Sequence, residues 1–193
     1  LNRLKIAKEK YGYSLYAFCL MDNHIHLIIK EKNDSIGKVM QHCLSSYVYW
    51  YNSKYERIGN LFQDRFKSEA INDDNYLISA VRYVHQNPLK ANIIIDMKDY
   101  LWSSYNAYIN KGYKLVDTEL VLNILQGFEN YIEFMKISET KTFLEPTERY
   151  RITDDKLLKE IIRILKIKDI SELNKLSKKE REESLKKIIE IDG

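Results

Sequence analysis

Met21-Asp22-Asn23-His24-Ile25-His26-Leu27-Ile28-Ile29 is the stretch whose reading decides the fold. Successive side chains of a strand point to opposite faces, so a strand here puts His24 and His26 on one face and turns Ile25, Leu27 and Ile29 toward a core. On a helix, residues two apart diverge by roughly 200° and the imidazoles would not meet. Converging from a strand, the pair can chelate a divalent metal, hold a phosphate, or be two ordinary polar-face residues, and the triplet alone leaves these open. Immediately upstream, residues 14–20 are aromatic and apolar at strand length, and Met21-Asp22-Asn23 supplies a turn. Residues 14–30 therefore read as an antiparallel hairpin.

The chain around the hairpin has 193 residues, 45% of them apolar, enough to bury the core of one domain or of one domain with a small appendage. Cys19 and Cys43 have no paired spacing, which excludes a disulfide framework and a zinc knuckle and fits a reducing, cytoplasmic setting. No apolar run approaches the roughly 20 residues of a membrane span, so a membrane is not an expected partner. The net charge of +3 is unevenly placed: residues 1–115 carry 16 Lys and Arg against 11 Asp and Glu, residues 116–193 carry 15 against 17. A basic first part with many of the 15 tyrosines fits a polyanion with bases to stack, although core packing accounts for many tyrosines as well.

Residues 1–10 read as the end of a helix, and with no initiator methionine and no preceding strand the expectation is a natural N-terminus upstream of Leu1. Asp34-Ser35 caps a helix expected over residues 36–55, with Val39, Cys43, Leu44, Tyr47, Val48 and Tyr51 as its apolar face and a mixture of aromatics and cations at its end. Residues 61–71 read as a loop leading into a strand, with Arg65 and Lys67 on one face. Asn72-Asp73-Asp74 caps a further helix that Asn87-Pro88 is expected to stop, and Tyr76, Ala80, Tyr83 and Asn87 form one stripe on it. Tyr100, Trp102, Tyr105 and Tyr108 cluster around Ser103-Ser104. From about Val116 the composition turns to Leu, Ile, Glu and Lys, with helical periodicity over 118–125, 128–136, 154–165, 171–176 and 178–191. The expected division is a domain over 1–115 and a helical extension over 116–193, with a linker within 139–150.

Two imidazoles and an amide oxygen, with positions left for water and phosphate, suit an octahedral ion such as Mg2+ or Mn2+ better than a closed zinc site. Asn87 offers that oxygen. One turn earlier, Tyr83 offers a phenolic nucleophile for a phosphodiester. Core packing for Tyr83 and a helix-end role for Asn87 are the structural alternatives, and His85 points elsewhere and reads as structural.

Four stretches in this order carry a resemblance: Met21-Asp22-Asn23-His24-Ile25-His26-Leu27, Gly59-Asn60-Leu61-Phe62-Gln63-Asp64-Arg65-Phe66-Lys67-Ser68, Tyr83-Val84-His85-Gln86-Asn87-Pro88-Leu89-Lys90-Ala91 and Trp102-Ser103-Ser104-Tyr105. Together they resemble the REP-associated tyrosine transposases and the single-strand insertion-sequence transposases, within the histidine-hydrophobe-histidine endonucleases. The resemblance implies an α+β, ferredoxin-like antiparallel sheet with flanking helices, here followed by an α-helical C-terminal extension. It implies His24, His26 and Asn87 as metal ligands for Mg2+ or Mn2+ and Tyr83 as nucleophile. The implied activity is cleavage and rejoining of single-stranded, hairpin-forming DNA through a 5′-phosphotyrosine. Arg65, Lys67 and Lys90 are the expected phosphate contacts, and Trp102 or Tyr105 the expected stacking residue, with burial the stronger expectation for Trp102. A hairpin-DNA-binding protein that no longer cleaves, and a metal-dependent nuclease that uses water, are the alternatives. A homodimer fits the resemblance but does not follow from the sequence.

Overall fold

The structure is a computed structural model and describes residues 1–110, 114–139, 143 and 162. The chain divides into two compact units, Leu1–Pro146 and Thr147–Gly193. All described residues but Ile162 lie in the first, and apart from Ile162 the helices expected over 154–165, 171–176 and 178–191 lie outside the described residues. The first unit is an α+β fold: an antiparallel two-stranded sheet with helices around it.

Strand β1 (Ser14–Leu20) and strand β2 (Ile25–Lys30) form the expected hairpin, with Cys19 opposite His26, Phe18 opposite Leu27 and Leu20 opposite Ile25. The turn is closed by the Met21 N–H donating to the His24 carbonyl at 2.9 Å. β1 is buried along almost its whole length. Its second edge is satisfied by irregular chain: the Ser104 N–H donates to the Phe18 carbonyl at 2.9 Å, the Leu20 N–H to the Trp102 carbonyl at 2.9 Å, and the Asp117 N–H to the Leu15 carbonyl at 2.7 Å. An extra residue in β1 between Leu15 and Ala17 shifts the register, and the Tyr16 carbonyl accepts from the Tyr108 hydroxyl at 2.7 Å.

Helix α1 (Asn2–Tyr11) buries Leu4 and Ala7 and ends at Gly12, whose φ of 62° is the left-handed conformation that closes many helices. Helix α2 (Ile36–Lys54) packs against α1 but buries only Val39, Met40 and Cys43, all in its first half. Helix α3 (Asp74–Lys90) starts at Asp73, whose carboxylate accepts from the Tyr76 N–H at 2.7 Å, and buries most of its surface against β1, β2 and later helices.

Four expectations are corrected. Pro88 does not stop α3: it lies in the last turn, where the carbonyl of Val84 loses a donor but little helix remains to be broken. Residues 61–71 form no strand, and nearly all of them are exposed. On β2 the buried side chain is Ile28, on the histidine face, while Ile25 is 45% exposed; α3 covers the histidine face, so the opposite one is not the main core side. The boundary at 115 also fails, since Val116, Val121, Tyr131 and Met135 belong to the core, and the division after Pro146 falls within the expected linker. These residues come from the segment after 115 and from helices α5 (Glu119–Ile124) and α6 (Phe128–Lys136). A short helix α4 (Tyr105–Ile109) precedes them. No helix among the described residues is long and apolar enough to cross a membrane.

Candidate active site

The hairpin turn and α3 bring the histidines and Tyr83 together. His24 and His26 project from the same face of the hairpin end, and their Nε2 atoms lie 2.9 Å apart. The His24 Nδ1 sits 2.6 Å from Asn23 Oδ1. An Nδ1–H donating to that oxygen leaves the His24 Nε2 with a lone pair directed at His26, the arrangement in which an outer hydrogen bond fixes the tautomer of a metal-binding histidine. Two adjacent nitrogens on one octahedral ion, each at about 2.0–2.1 Å, are about 2.9 Å apart, so the spacing of the pair suits joint ligation of one divalent ion.

Tyr83 meets this pair from α3. Its ring lies edge-on to that of His26, with centroids 5.4 Å apart and planes at 85°. Lys90, two turns further along α3, places its ammonium 4.8 Å from the Tyr83 ring centre. Asn87, one turn on, has its Nδ2 3.4 Å from the Tyr83 carbonyl. The pocket beside these groups, about 100 Å3, is lined among others by His26, Ile28, Glu69, Tyr76, Tyr83 and Phe143. Tyr83 itself is 4% exposed, because the Phe143 ring covers it at 4.8 Å. A larger open hollow of about 510 Å3 over α1 and α2, lined by Tyr11, Lys38 and His42 among others, shares no residue with this pocket.

Among the described residues no group of three or more His, Cys, Asp and Glu could hold a metal ion. Among the described residues, a third ligand to an ion held by the histidines would come from an amide such as Asn87, or from solvent or substrate. Cys19 lies directly across the ladder from His26; burial pushes its thiol up to about 12, and its Sγ contacts the Met21 sulfur at 3.5 Å.

The other expected residues separate. Arg65 and Lys67 sit on the exposed loop between α2 and α3, which continues to Glu69 and Ile71 at the pocket. Trp102 is 58% exposed, against the expectation that it is buried, because its backbone rather than its ring caps the edge of β1. Tyr105 is corrected: it is 6% exposed and packs on His85 and Tyr131, so no base can reach its ring.

Three pocket residues escaped the sequence. Tyr76 stood on the recognised stripe of α3 without a role; its hydroxyl meets Glu69, which comes from a loop with no periodicity. Phe143 arrives from 60 residues beyond Tyr83, a long-range placement that no local spacing encodes. It follows a segment tied to the back of α3, where Arg82 pairs with Glu139 at 2.8 Å and the Gln86 amide donates to the Met135 and Ile137 carbonyls at 2.8 Å each.

A hairpin with paired histidines is thus crossed by a tyrosine-bearing helix, and most of the part of the chain that holds this arrangement is similar to known proteins. Residues 2–87 match the family described as "Transposase IS200 like". A curated relative, the putative REP-associated tyrosine transposase of Haemophilus influenzae, is 25% identical over 109 residues, covering 51% of this chain and 62% of the relative. The chain thus spans less than two thirds of the length of that relative. No solved structure gives a significant match.

Proposed function

We propose that the protein is a single-strand DNA endonuclease and strand transferase, a transposase acting on hairpin-forming DNA in the cytoplasm. The observation that carries the reading is the convergence of three rings: His24 and His26 with their Nε2 atoms 2.9 Å apart, and Tyr83 edge-on to His26 at 5.4 Å. In the reaction, the Tyr83 oxygen attacks the phosphorus of a scissile phosphodiester and loses its proton. The bond from phosphorus to the 3′-oxygen breaks and that oxygen takes a proton from solvent, to which the Tyr83 proton has passed, leaving DNA attached through its 5′-phosphate to Tyr83 and a free 3′-hydroxyl. The Lys90 ammonium, near the ring of Tyr83, favours the phenolate as it forms and offers a charge to the phosphate.

His24 and His26, with Asn87, are the residues that would hold Mg2+ or Mn2+. Such an ion, when bound, withdraws charge from the non-bridging phosphate oxygen and the departing 3′-oxygen. Asn23 supports the site by holding the ring of His24 in one orientation. Arg65 and Lys67 contact phosphates on the approach to the pocket, and exposed Trp102 is available for a base. Strand entry requires Phe143 to move off Tyr83, whose ring is otherwise almost inaccessible.

The low exposure of Tyr83 also favours a second reading, in which water attacks and Tyr83 only packs. Cleavage of a labelled hairpin substrate by the protein with Mg2+ or Mn2+ tests both. Loss of cleavage in Tyr83→Phe and in His24→Ala supports the transesterification; a Tyr83→Phe protein that still cuts supports the hydrolytic reading.

A further inference from the structure

α2 buries residues only as far as Cys43, yet its apolar spacing continues to its end. Tyr47, Trp50, Tyr51, Lys54 and Tyr55 fall at intervals of three and four residues and so share one side of the helix. Their rings form an unbroken row: Tyr47 to Trp50 at 5.6 Å, Tyr47 to Tyr51 at 6.0 Å and Tyr51 to Tyr55 at 4.5 Å. Phe62, beyond the helix, joins the row 6.4 Å from Tyr47. It is held there by a turn in which the Asn52 amide donates to the Gly59 carbonyl and the Arg57 N–H to the Asn52 carbonyl, both at 2.9 Å. The row faces water: Tyr47 is 37%, Trp50 41% and Tyr55 51% exposed. This exposure is what distinguishes it from the tyrosines of the core.

Cations lie along it. Lys54 Nζ is 5.0 Å from the Trp50 ring centre and 5.1 Å from that of Tyr55, and the Arg57 guanidinium is 5.7 Å from Tyr51. Among the described residues neither cation is ion-paired with a carboxylate. Over residues 47–67 four Lys and Arg stand against two Asp and Glu. Rings and unpaired cations in one line are the combination that binds a single strand, bases on the rings and phosphates on the cations. From Tyr47 to Tyr55 the row spans about 12 Å, room for roughly two to three nucleotides. Phe62 then leads into the loop that carries Arg65 and Lys67 and reaches Glu69 and Ile71 at the pocket.

We propose that the C-terminal half of α2 is a stacking platform for the single-stranded DNA flanking the hairpin, with Trp50 at its centre and Lys54 and Arg57 on the phosphates. The proposal rests on the reading of the protein as a single-strand DNA enzyme, and it concerns a surface separate from the histidine pocket.

The test uses the full chain carrying Trp102→Phe, which leaves Trp50 as the single tryptophan, with EDTA present so that binding is measured without cleavage. Hairpin DNA is titrated with and without an unpaired oligothymidine flank while Trp50 fluorescence is followed. The flanked hairpin is expected to quench Trp50, and the blunt one is not. Trp50→Ala, in the chain retaining Trp102, is expected to weaken binding of the flanked hairpin at least about fivefold by fluorescence anisotropy of labelled DNA, with the blunt hairpin unchanged and Trp50→Phe restoring affinity. Lys54→Ala with Arg57→Ala is expected to reduce the slope of log affinity against log salt by about 1.4, two cations at about 0.7 each. Absence of quenching, an equal loss on both hairpins, or a concentration-dependent dimer that Trp50→Ala abolishes would each overturn the proposal. A protein that binds in this way but forms no adduct on Tyr83 refutes the catalytic reading and leaves the platform standing; an adduct without flank-dependent binding does the reverse.

Discussion

Acid should destabilise this protein in part through His85, on the side of α3 away from the pocket. Its side chain is fully buried, with Nε2 2.7 Å from Ser104 Oγ and Nδ1 3.0 Å from the Tyr131 hydroxyl. One assignment of protons satisfies every member. Tyr131, kept protonated by a burial that raises its pKa, donates to Nδ1; Nε2–H donates to Ser104 Oγ; and Ser104 donates to the Phe18 carbonyl at 3.2 Å while accepting the Phe18 N–H at 2.8 Å. A second proton on His85 takes away the acceptor of Tyr131 and buries a charge among Tyr105, Tyr108 and Tyr131. Desolvation accordingly pushes the pKa of His85 down to about 3 from an ordinary 6.5. Because the folded-state value is the lower one, the unfolded chain takes up the proton first. Stability from this group is complete above pH 6.5 and falls as pH drops toward 3. Between pH 8 and pH 5 the loss is about 2 kcal/mol, from 1.5 units at about 1.4 kcal/mol each. Urea denaturation of the wild type and His85→Gln at both pH values isolates the group, since contributions common to both proteins cancel. The variant is expected to be less stable at pH 8 yet to lose about 2 kcal/mol less on acidification. An identical pH dependence in the two proteins would refute the reasoning.

Glu139→Ala leaves the Arg82 guanidinium, whose side chain is 11% exposed, buried without its partner, and is expected to cost about 3–5 kcal/mol in chemical denaturation. An Arg82→Met, Glu139→Leu double variant is expected to recover much of that loss. Phe143→Ala is expected to uncover Tyr83 and increase its nitration by tetranitromethane, read by peptide mass spectrometry; unchanged nitration would show that Phe143 is not the cover. Burial raises the pKa of both thiols, that of Cys19 to about 12, so neither cysteine is expected to react promptly with a thiol reagent at pH 8 until denaturant is added.

Local patterns were legible where short-range physics decides. The aromatic and apolar run over residues 14–20, the turn after it and the alternation of the histidine strand defined the hairpin, and the capping cluster at Asn72-Asp73-Asp74 together with the stripe Tyr76, Ala80, Tyr83 and Asn87 defined α3. The turn at Met21-Asp22-Asn23 located the histidine pair. Tertiary placement was not legible. Pro88 signals a helix stop locally, but buried within a packed last turn it does not act as one. Tyr105 and Trp102 are both aromatics of one cluster, and only packing against His85 and Tyr131 sends Tyr105 inside while Trp102 stays out. Phe143 and Glu139 reach α3 from beyond residue 115, where the change of composition suggested a separate domain. The family resemblance covered His24, His26, Tyr83 and Asn87 but gave no sign of Phe143 or of the ring row on α2, whose spacing also fits ordinary core packing.

If Tyr83 is the nucleophile proposed above, it becomes covalently joined to DNA. The direct measurement incubates the protein with labelled hairpin DNA and Mg2+ or Mn2+, stops the reaction in denaturant, digests with protease and nuclease, and maps the modified peptide by mass spectrometry. A nucleotide 5′-phosphate is expected on the peptide containing Tyr83, absent with EDTA and absent in Tyr83→Phe. Cleaved DNA with no modified peptide, or an adduct on another residue, would contradict it.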